Sequence, residues 1–354
     1  MTPSTVSTPQ PFAAVPAYDE PPPGAGCDRG ALVVSLDFEL HWGVRDHAPV
    51  HGPYRGNLLG ERRAVPALLD VFREFGVAAT WATVGFLFAR SRDELQASSP
   101  DLRPAYDDPA LDPYAEPLGH GEDDDPLHFA PSLVEQILAA PGQEVATHTF
   151  SHYYCLEPGQ GRQAFAADLE AAVRMAAARG VSLRSIVFPR NQHNPAYDDL
   201  LLDAGITCFR GAQAGWMYRP AAEALGTPRV RAGRLADTYL PLVGRATQPW
   251  DTVARPDGLA NVAASRFLRP YQPRLRGLDG LRLRRVSGGL RRAAEQGEIF
   301  HLWWHPHNFG THLNENLDFL RRVLDTFAAL RDSHGMQSLT MAQAAVVARR
   351  AARG

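Results

Sequence analysis

The segment Glu144-Val-Ala-Thr-His148-Thr-Phe-Ser-His152 places two histidines four residues apart, directly after a short apolar run. The run has the length and composition of a buried strand. Histidines at this spacing fall on one side of a helical turn or a tight loop, so both imidazoles can reach one ion at roughly 2.0–2.1 Å if it is zinc. Such pairs also occur by chance and often only satisfy backbone carbonyls. Other polar clusters must therefore decide between a metal site and a structural pair.

Three further apolar runs also end in polar clusters. These clusters are Asp37-Phe38-Glu39 after the run 31–36, Pro189-Arg190-Asn191-Gln192-His193 after 184–188, and His305-Pro306-His307 after 298–304. Continuous apolar runs are typical of parallel strands. In barrels built from βα units, catalytic residues lie at the carboxyl ends of the strands. The four runs therefore predict an α/β fold with a functional site at one end.

Alternating strand and helix patterns extend along most of the chain. Strands are predicted over 77–84, 143–147, 183–188 and 206–210, and helices over about 61–75, 132–140, 161–180, 196–205, 314–330 and from Thr340 onward. We predict one domain over 31–345, preceded by a flexible tail (1–30) and followed by a short tail (346–354). Segments at about 91–126 and 212–296 break the alternation and are predicted to be insertions.

The composition is that of a globular protein with one large core: 354 residues, 45% hydrophobic, with a formal charge of −3. The near-neutral balance argues against nucleic acid as the main partner. All 36 residues counted as lysine or arginine are arginine, which excludes a lysine nucleophile or Schiff base. Three cysteines without a pairing pattern and the lack of a signal peptide or membrane span predict a cytoplasmic protein. Cys155 is either a metal ligand or, as we favour, a free buried thiol.

Both insertions carry charge runs with two interpretations. The segment 91–126 contains Glu122-Asp-Asp-Asp125 and is either a substrate lid or, the preferred interpretation, a solvated charge run. The arginine-dense stretch 266–292, with Phe267 and Tyr271, is either a patch for a phosphate or lipid headgroup or a solvated helix face, which we favour. A weak contact with a lipid-linked substrate follows from the first alternative.

The order of these motifs resembles the polysaccharide deacetylase (NodB-homology) family of carbohydrate esterases. His148-Thr-Phe-Ser-His152 is similar to its second motif, Ala79-Thr-Trp-Ala-Thr-Val-Gly85 to its Ala-Thr-Phe-Phe-x-x-Gly strand, and Leu302-Trp303-Trp304-His305 to its last motif. The resemblance spans roughly residues 31–345 and implies a distorted (β/α) barrel in a single domain.

The first and third motifs depart from the family pattern. The family's Thr-Phe-Asp-Asp-Gly corresponds here to Ser35-Leu36-Asp37-Phe38-Glu39, so Asp37 aligns with the catalytic base and Glu39 replaces the missing metal ligand. The family's Arg-x-Pro is only loosely similar to Phe188-Pro189-Arg190, in which Arg190 is expected to hold the base carboxylate. These departures indicate a divergent branch with an acid-x-acid pattern.

The resemblance implies a metal-dependent hydrolase that removes an N-acetyl, or second an O-acetyl, group from a sugar of a polysaccharide or glycan precursor. The expected metal ligands are Glu39, His148 and His152, holding one divalent ion, zinc first with cobalt, nickel or manganese as alternatives. Asp37 is the expected base and His305 the expected acid. The expected substrate-binding residues are Trp81, Trp303, Trp304 and Asn191, although core packing is the equal alternative for each tryptophan.

Two rival functions remain open from the residues. One is an amidase acting on a small cyclic amide or formamide on the same scaffold. The other is a catalytically silent carbohydrate-binding protein, which the presence of Asp37, both histidines of the pair, Arg190 and His305 in one chain disfavours. The sugar and the oligomeric state are not predicted.

Overall fold

Strand β1 (Ala31–Phe38) lies in the middle of a parallel sheet and is buried at every position in the computed structural model, which describes residues 19–218, 227–243 and 247–353. The other described strands are β2 (Ala79–Thr83), β3 (Gln143–Thr147), β4 (Ser185–Ile186), β5 (Cys208–Phe209), β6 (Ala260–Asn261), β7 (Arg266–Phe267), β8 (Ile299–Trp304) and β9 (Gln337–Leu339). Their order is β6-β5-β4-β3-β2-β1-β8-β7, and β9 pairs with the first residues of β1. The sheet curls into a distorted barrel, as predicted.

Helices follow most of the strands, and most of them cover the outer face of the sheet. They are α1 (Arg55–Phe75), α2 (Arg92–Ser98), α3 (Pro131–Ala139), α4 (Arg162–Ala177), α5 (Asp198–Asp203), α6 (Pro228–Asp237), α7 (Asp279–Gln296), α8 (Leu313–His334) and α9 (Met341–Ala351). Helix α1 ends as predicted at Gly76, whose φ of 65° is a left-handed conformation that glycine adopts without strain. In the described part of the chain, no helix is long and apolar enough to cross a membrane.

The side chains of β1 alternate between two environments because strand residues point to opposite faces. Leu32, Val34, Leu36 and Phe38 pack in the main core with the outer helices. Ala31 and Val33 instead pack with α9, which fills the amino-terminal part of the barrel interior with alanine and valine side chains. Ser35 and Asp37 share the parity of Val33, so this alternation directs Asp37 into the barrel.

The same alternation corrects two of the predicted substrate contacts. Trp81 and Trp304 are fully buried on the helix side of the sheet, where both rings pack against Phe72 of α1. Trp81 also donates a hydrogen bond from Nε1 to Gln143 Oε1 at 2.9 Å. These two tryptophans are core residues, whereas Trp303, one position away in β8, has the inward parity.

The strand register brings the predicted clusters to one edge. Leu36 of β1 pairs with Trp304 of β8, and Thr83 of β2 pairs with Thr147 of β3. His305 therefore follows β8 at the level of Asp37, near the end of β1, and His148 follows β3 two residue positions farther along, at the level of Glu39. The segment 212–296 is not only an insertion, since it supplies β6, β7 and α7 to the barrel; its residues 219–226 and 244–246 lie outside the described ranges, as does most of the predicted amino-terminal tail.

Candidate active site

The carboxylate of Glu39 lies among four imidazoles at the carboxyl end of the barrel. Its Oε2 atom is 3.2 Å from His148 Nε2 and 3.1 Å from His152 Nε2. Its Oε1 atom is 3.2 Å from His307 Nε2 and 3.5 Å from His305 Nε2. Burial acts to raise the pKa of Glu39, but His305 and the three other imidazoles close to its oxygens hold it well below its usual range. An ionised Glu39 thus joins the predicted histidine pair to the last motif.

The loop that carries the histidine pair is held from behind by Asp168 of α4. The Phe150 N–H donates to Asp168 Oδ1 at 2.8 Å, and the Ser151 N–H donates to Oδ2 at 3.1 Å. Thr149 and His152 adopt left-handed backbone conformations, with φ of 64° and 60°. Such strain persists only where the surroundings over-determine it, and it clusters at functional sites. The fold therefore tolerates two strained backbone conformations, and these direct both rings toward Glu39.

The hydrogen bonds of His148 indicate a cation ligand rather than a structural pair. His148 Nδ1 lies 2.7 Å from the Val187 carbonyl oxygen, which can only accept, so Nδ1 carries the proton and Nε2 presents its lone pair to Glu39. Burial lowers the pKa of His152 to about 3, against the raising effect of Glu39, and this ring is therefore neutral near pH 7. Histidines that bind metal commonly donate their other ring N–H to a backbone carbonyl, which fixes the orientation of the ring. Two imidazoles and one carboxylate oxygen fit a divalent transition metal.

Asp37 is held by Arg210, not by Arg190 as predicted. Arg210 Nη1 and Nη2 donate to Asp37 Oδ1 and Oδ2 at 2.6 and 2.7 Å, and the guanidinium is fully buried. Burial alone raises the pKa of Asp37, but Arg210, with His148 and His305, lowers it overall. Arg210 follows β5 and points into the barrel, where its guanidinium lies 4.1 Å from the centre of the Trp303 ring.

Arg190 serves a different contact. Its guanidinium pairs with Asp46 and, at 3.2 Å, with Glu157, and it lies over the ring of Tyr154. The backbone explains the difference, because Arg190 has a left-handed φ of 55° in a short turn after β4, which directs it away from Asp37. Asn191, the predicted substrate contact, accepts a hydrogen bond from Arg210 Nη2 at 3.2 Å and so lies beside the base.

His305 is the most exposed of the four imidazoles, with 24% of its side chain accessible, and its Nε2 lies 3.7 Å from Asp37 Oδ2. It borders a cavity of about 510 Å³. The cavity is lined by Glu39, Tyr54, Phe267, His307 and Asn308, together with the glycine- and proline-containing loop 43–53. Trp303 packs against both Phe267 and His305. A substrate in this cavity reaches Glu39 and His305 from the same side.

Comparison with solved structures identifies the fold. A protein from Mycobacterium smegmatis described as a polysaccharide deacetylase aligns over 94% of this chain and 95% of its own, with a TM-score of 0.54 and 16% identity. Puue allantoinase aligns over 97% of each chain, with a TM-score of 0.51 and 12% identity.

The chain has the polysaccharide deacetylase fold.

A family 4 carbohydrate esterase from Streptococcus mutans is more distant, with a TM-score of 0.43 and 14% identity over 89% of this chain and 87% of its own. No protein-family model matches the sequence, and no curated protein does. At these identities the likeness extends to the fold alone.

Two residues that the sequence did not mark as site residues, His307 and Arg210, complete the site. His307 is 3% exposed, and its Nδ1 lies 2.7 Å from the Tyr54 hydroxyl. The signal for His307 was its position two residues after His305 at a strand end. Arg210 also followed a predicted strand, but a single arginine there is too common to single out.

Parts of the charged insertions are built into the structure rather than solvated. Asp124 accepts backbone hydrogen bonds from His120 and Gly121, and Glu122 pairs with Arg62 of α1. In the arginine-dense stretch, Arg266 and Arg285 turn inward to Asp237. The preferred interpretation as solvated faces is therefore wrong for Glu122, Arg266 and Arg285, whereas Asp124, which is 51% exposed, agrees with it. Whether the stretch contacts a lipid-linked substrate stays a prediction. Cys155 is a free buried thiol.

Proposed function

We propose that this protein is a metal-dependent hydrolase that removes an N-acetyl group, or second an O-acetyl group, from a sugar. One observation carries the proposal: Asp37, clamped by a buried arginine, lies beside a glutamate that four imidazole nitrogens surround. A clamped, ionised carboxylate next to a cation site is the pairing that activation of a water molecule requires.

In this proposal Glu39, His148 and His152 hold one divalent ion, zinc being our first choice. Such an ion supplies a polarised carbonyl and a more acidic water. His307 lies close enough to Glu39 to act as a further ligand or to orient that carboxylate. The Tyr54 hydroxyl and the Asn308 amide both lie at the Nδ1 side of His307, so its ring is held in place.

Asp37 is the base and His305 the acid. Arg210 keeps Asp37 ionised and fixes its orientation, so that the carboxylate can accept a proton from a water molecule on its open side. His305 lies at the cavity wall and donates a proton to the departing amine. The two side chains are 3.7 Å apart, so one reacting carbon can be served by both.

The cavity supports a compact substrate. About 510 Å³ is within the range of pockets that enclose a small ligand. Phe267 and Trp303 supply apolar surface beside His305, where an acetyl methyl or a sugar ring can pack. We therefore place one acetylated sugar unit in the cavity, as part of a glycan precursor, and we retain a cytoplasmic location as part of the proposal.

A second candidate is hydrolysis of a small cyclic amide. The observation that favours it is the likeness to Puue allantoinase, whose TM-score of 0.51 is close to that of the polysaccharide deacetylase. The same base and acid serve ring opening, because the leaving group is again an amine.

Substrate profiling and metal analysis together test the proposal. We expect zinc-loaded protein to release acetate from N-acetylhexosamine glycans or nucleotide sugars, and not to open hydantoins or allantoin. Asp37→Asn should retain the metal and lower turnover by at least about 100-fold, whereas Glu39→Gln should lower metal content itself. Glu157→Gln, a carboxylate that pairs with Arg190, is the matched control and should keep both. Ring opening without acetate release selects the second candidate. No turnover of either class by metal-loaded protein would mean a silent binding protein.

The His305→Asn variant tests whether His305 is the catalytic acid or a metal ligand. We expect a loss of turnover of about 100- to 10,000-fold with unchanged metal content. His312→Asn, an exposed histidine after the same strand, is the control. Metal loss in His305→Asn would instead make His305 a ligand, and the acid would have to be sought elsewhere along the cavity.

A further inference from the structure

A second group of metal-capable side chains lies away from the Glu39 cluster. His41 Nδ1 is 2.9 Å from His128 Nε2, and Glu116 Oε1 is 3.6 Å from the former and 3.7 Å from the latter. Both imidazoles are 2% exposed and Glu116 is 19% exposed. His41 belongs to the short helical turn after β1, whereas Glu116 belongs to the acidic insertion and His128 lies just after it.

The outer contacts of both rings fix where their protons lie. His41 Nε2 is 2.9 Å from the carbonyl oxygen of Ala48, which can only accept, so Nε2 is protonated and Nδ1 has a lone pair. His128 Nδ1 is 2.8 Å from a carboxylate oxygen of Asp125, so Nδ1 donates and the neutral ring has its lone pair at Nε2.

With one proton on each ring, three acceptors therefore converge on one point with no donor between them. Two nitrogen lone pairs at 2.9 Å and a carboxylate oxygen repel one another unless a positive charge lies among them. Imidazole and carboxylate are the ligands that divalent first-row transition metals accept. Asp125 behind His128 is the carboxylate–histidine arrangement that orients a metal ligand.

We propose that His41, His128 and Glu116 bind a second divalent transition-metal ion. Zinc fits the two nitrogens and one oxygen, and the partly exposed side at Glu116 leaves a position for water. The carboxylate of Glu116 faces the cluster, and the nearby guanidinium of Arg45 is engaged through Nη1 by the Trp42 carbonyl at 2.7 Å. This ion is separate from the one proposed at Glu39, and its binding does not depend on the hydrolase function.

The proposed ion joins the turn after β1 to the end of the acidic insertion. The His41 N–H donates to the Leu127 carbonyl at 3.2 Å, and Trp42 Nε1 donates to the His128 carbonyl at 3.0 Å. These bonds dock the end of the insertion on the turn that follows Glu39. A metal held by side chains from both segments fixes that docking, and through the turn it fixes the backbone that presents Glu39.

Metal stoichiometry tests the proposal. The full-length protein is stripped with chelator, equilibrated with Zn²⁺ alone, desalted and measured by mass spectrometry of the metal. We expect two equivalents for the unmodified protein and one for His128→Asn and for Glu116→Gln. Glu116→Gln is the conservative variant at a partly exposed position, and circular dichroism checks that both variants fold. Asp125→Asn should weaken the second equivalent by about 10- to 100-fold. His120→Asn, an 85% exposed histidine in the same insertion, should keep two equivalents.

A double variant, His148→Ala with His152→Ala, keeps the two metal proposals apart. We expect it to lose one equivalent and to retain the one that His128→Asn removes. If the unmodified protein holds a single equivalent that the double variant retains, the second site stands and the metal proposed at Glu39 does not. If folded His128→Asn and Glu116→Gln bind as much zinc as the unmodified protein, the second site is refuted, and a shared proton must neutralise the cluster.

Discussion

Removing Arg210 should destabilise the fold through the charge it leaves on Asp37. The guanidinium and the carboxylate are both almost completely inaccessible, at 0% and 4% of their side chains. Two charge-assisted hydrogen bonds of 2.6 and 2.7 Å connect them. At about 1.5–3 kcal/mol each these bonds account for about 3–6 kcal/mol, and loss of one partner of a buried pair costs about 3–5 kcal/mol. We expect Arg210→Met to lower the free energy of unfolding by about 3–5 kcal/mol.

The double variant shows whether the cost comes from the orphaned charge. Asp37→Asn removes that charge, so Arg210→Met in the Asp37→Asn background should cost at least about 2 kcal/mol less than it does alone. Urea unfolding of the four proteins, all in chelator so that metal binding does not contribute, gives the coupling energy. Arg190→Met is the matched control, and its effect should add to that of Asp37→Asn within about 0.5 kcal/mol. The reasoning fails if Arg210→Met costs under about 1 kcal/mol, or if Arg190 rather than Arg210 is coupled to Asp37.

Three further predictions address the supports of the site and one corrected residue. A Cβ at Gly43 would lie 1.9 Å from the Glu39 carboxyl carbon, so Gly43→Ala should displace this carboxylate and lower metal content, whereas Gly277→Ala, with open space at its Cβ, should not. Burial raises the pKa of Asp168 from 3.8 to about 6, although its hydrogen bonds act to lower it. The contribution of Asp168 to the free energy of unfolding is therefore complete below pH 3.8 and is lost as the pH rises through about 6. Asp168→Asn should remove this part, about 3 kcal/mol, of the pH dependence of unfolding in urea, and an unchanged profile would contradict the assignment. Trp81→Ala should cost about 3–5 kcal/mol of stability without changing KM, and a raised KM in the folded variant would restore Trp81 as a substrate contact.

The strand ends could be located from the residue pattern because they depend on local periodicity. An apolar run of strand length followed by a polar cluster marks the point where a buried strand leaves the sheet. The register places His305 at the level of Asp37 and His148 two residue positions farther along, at the level of Glu39. The extent of the short strands was overestimated, since β4 and β5 are two residues each, because an apolar run does not reveal where sheet pairing stops.

Which side chains meet across the barrel was decided only by tertiary structure. Arg190 and Arg210 both follow predicted strands, and only the left-handed turn at Arg190 directs one of them to Asp46 while Arg210 reaches Asp37. Trp303 and Trp304 are adjacent in sequence, and the pleat alone sends one toward the site and the other into the core, with no difference in residue type to distinguish them. Local pattern thus establishes the elements and their polar ends, since it depends on neighbours along the chain. Which side chains contact each other depends on strand parity and turn conformation in residues more than 100 positions apart. A local sequence pattern does not contain that information.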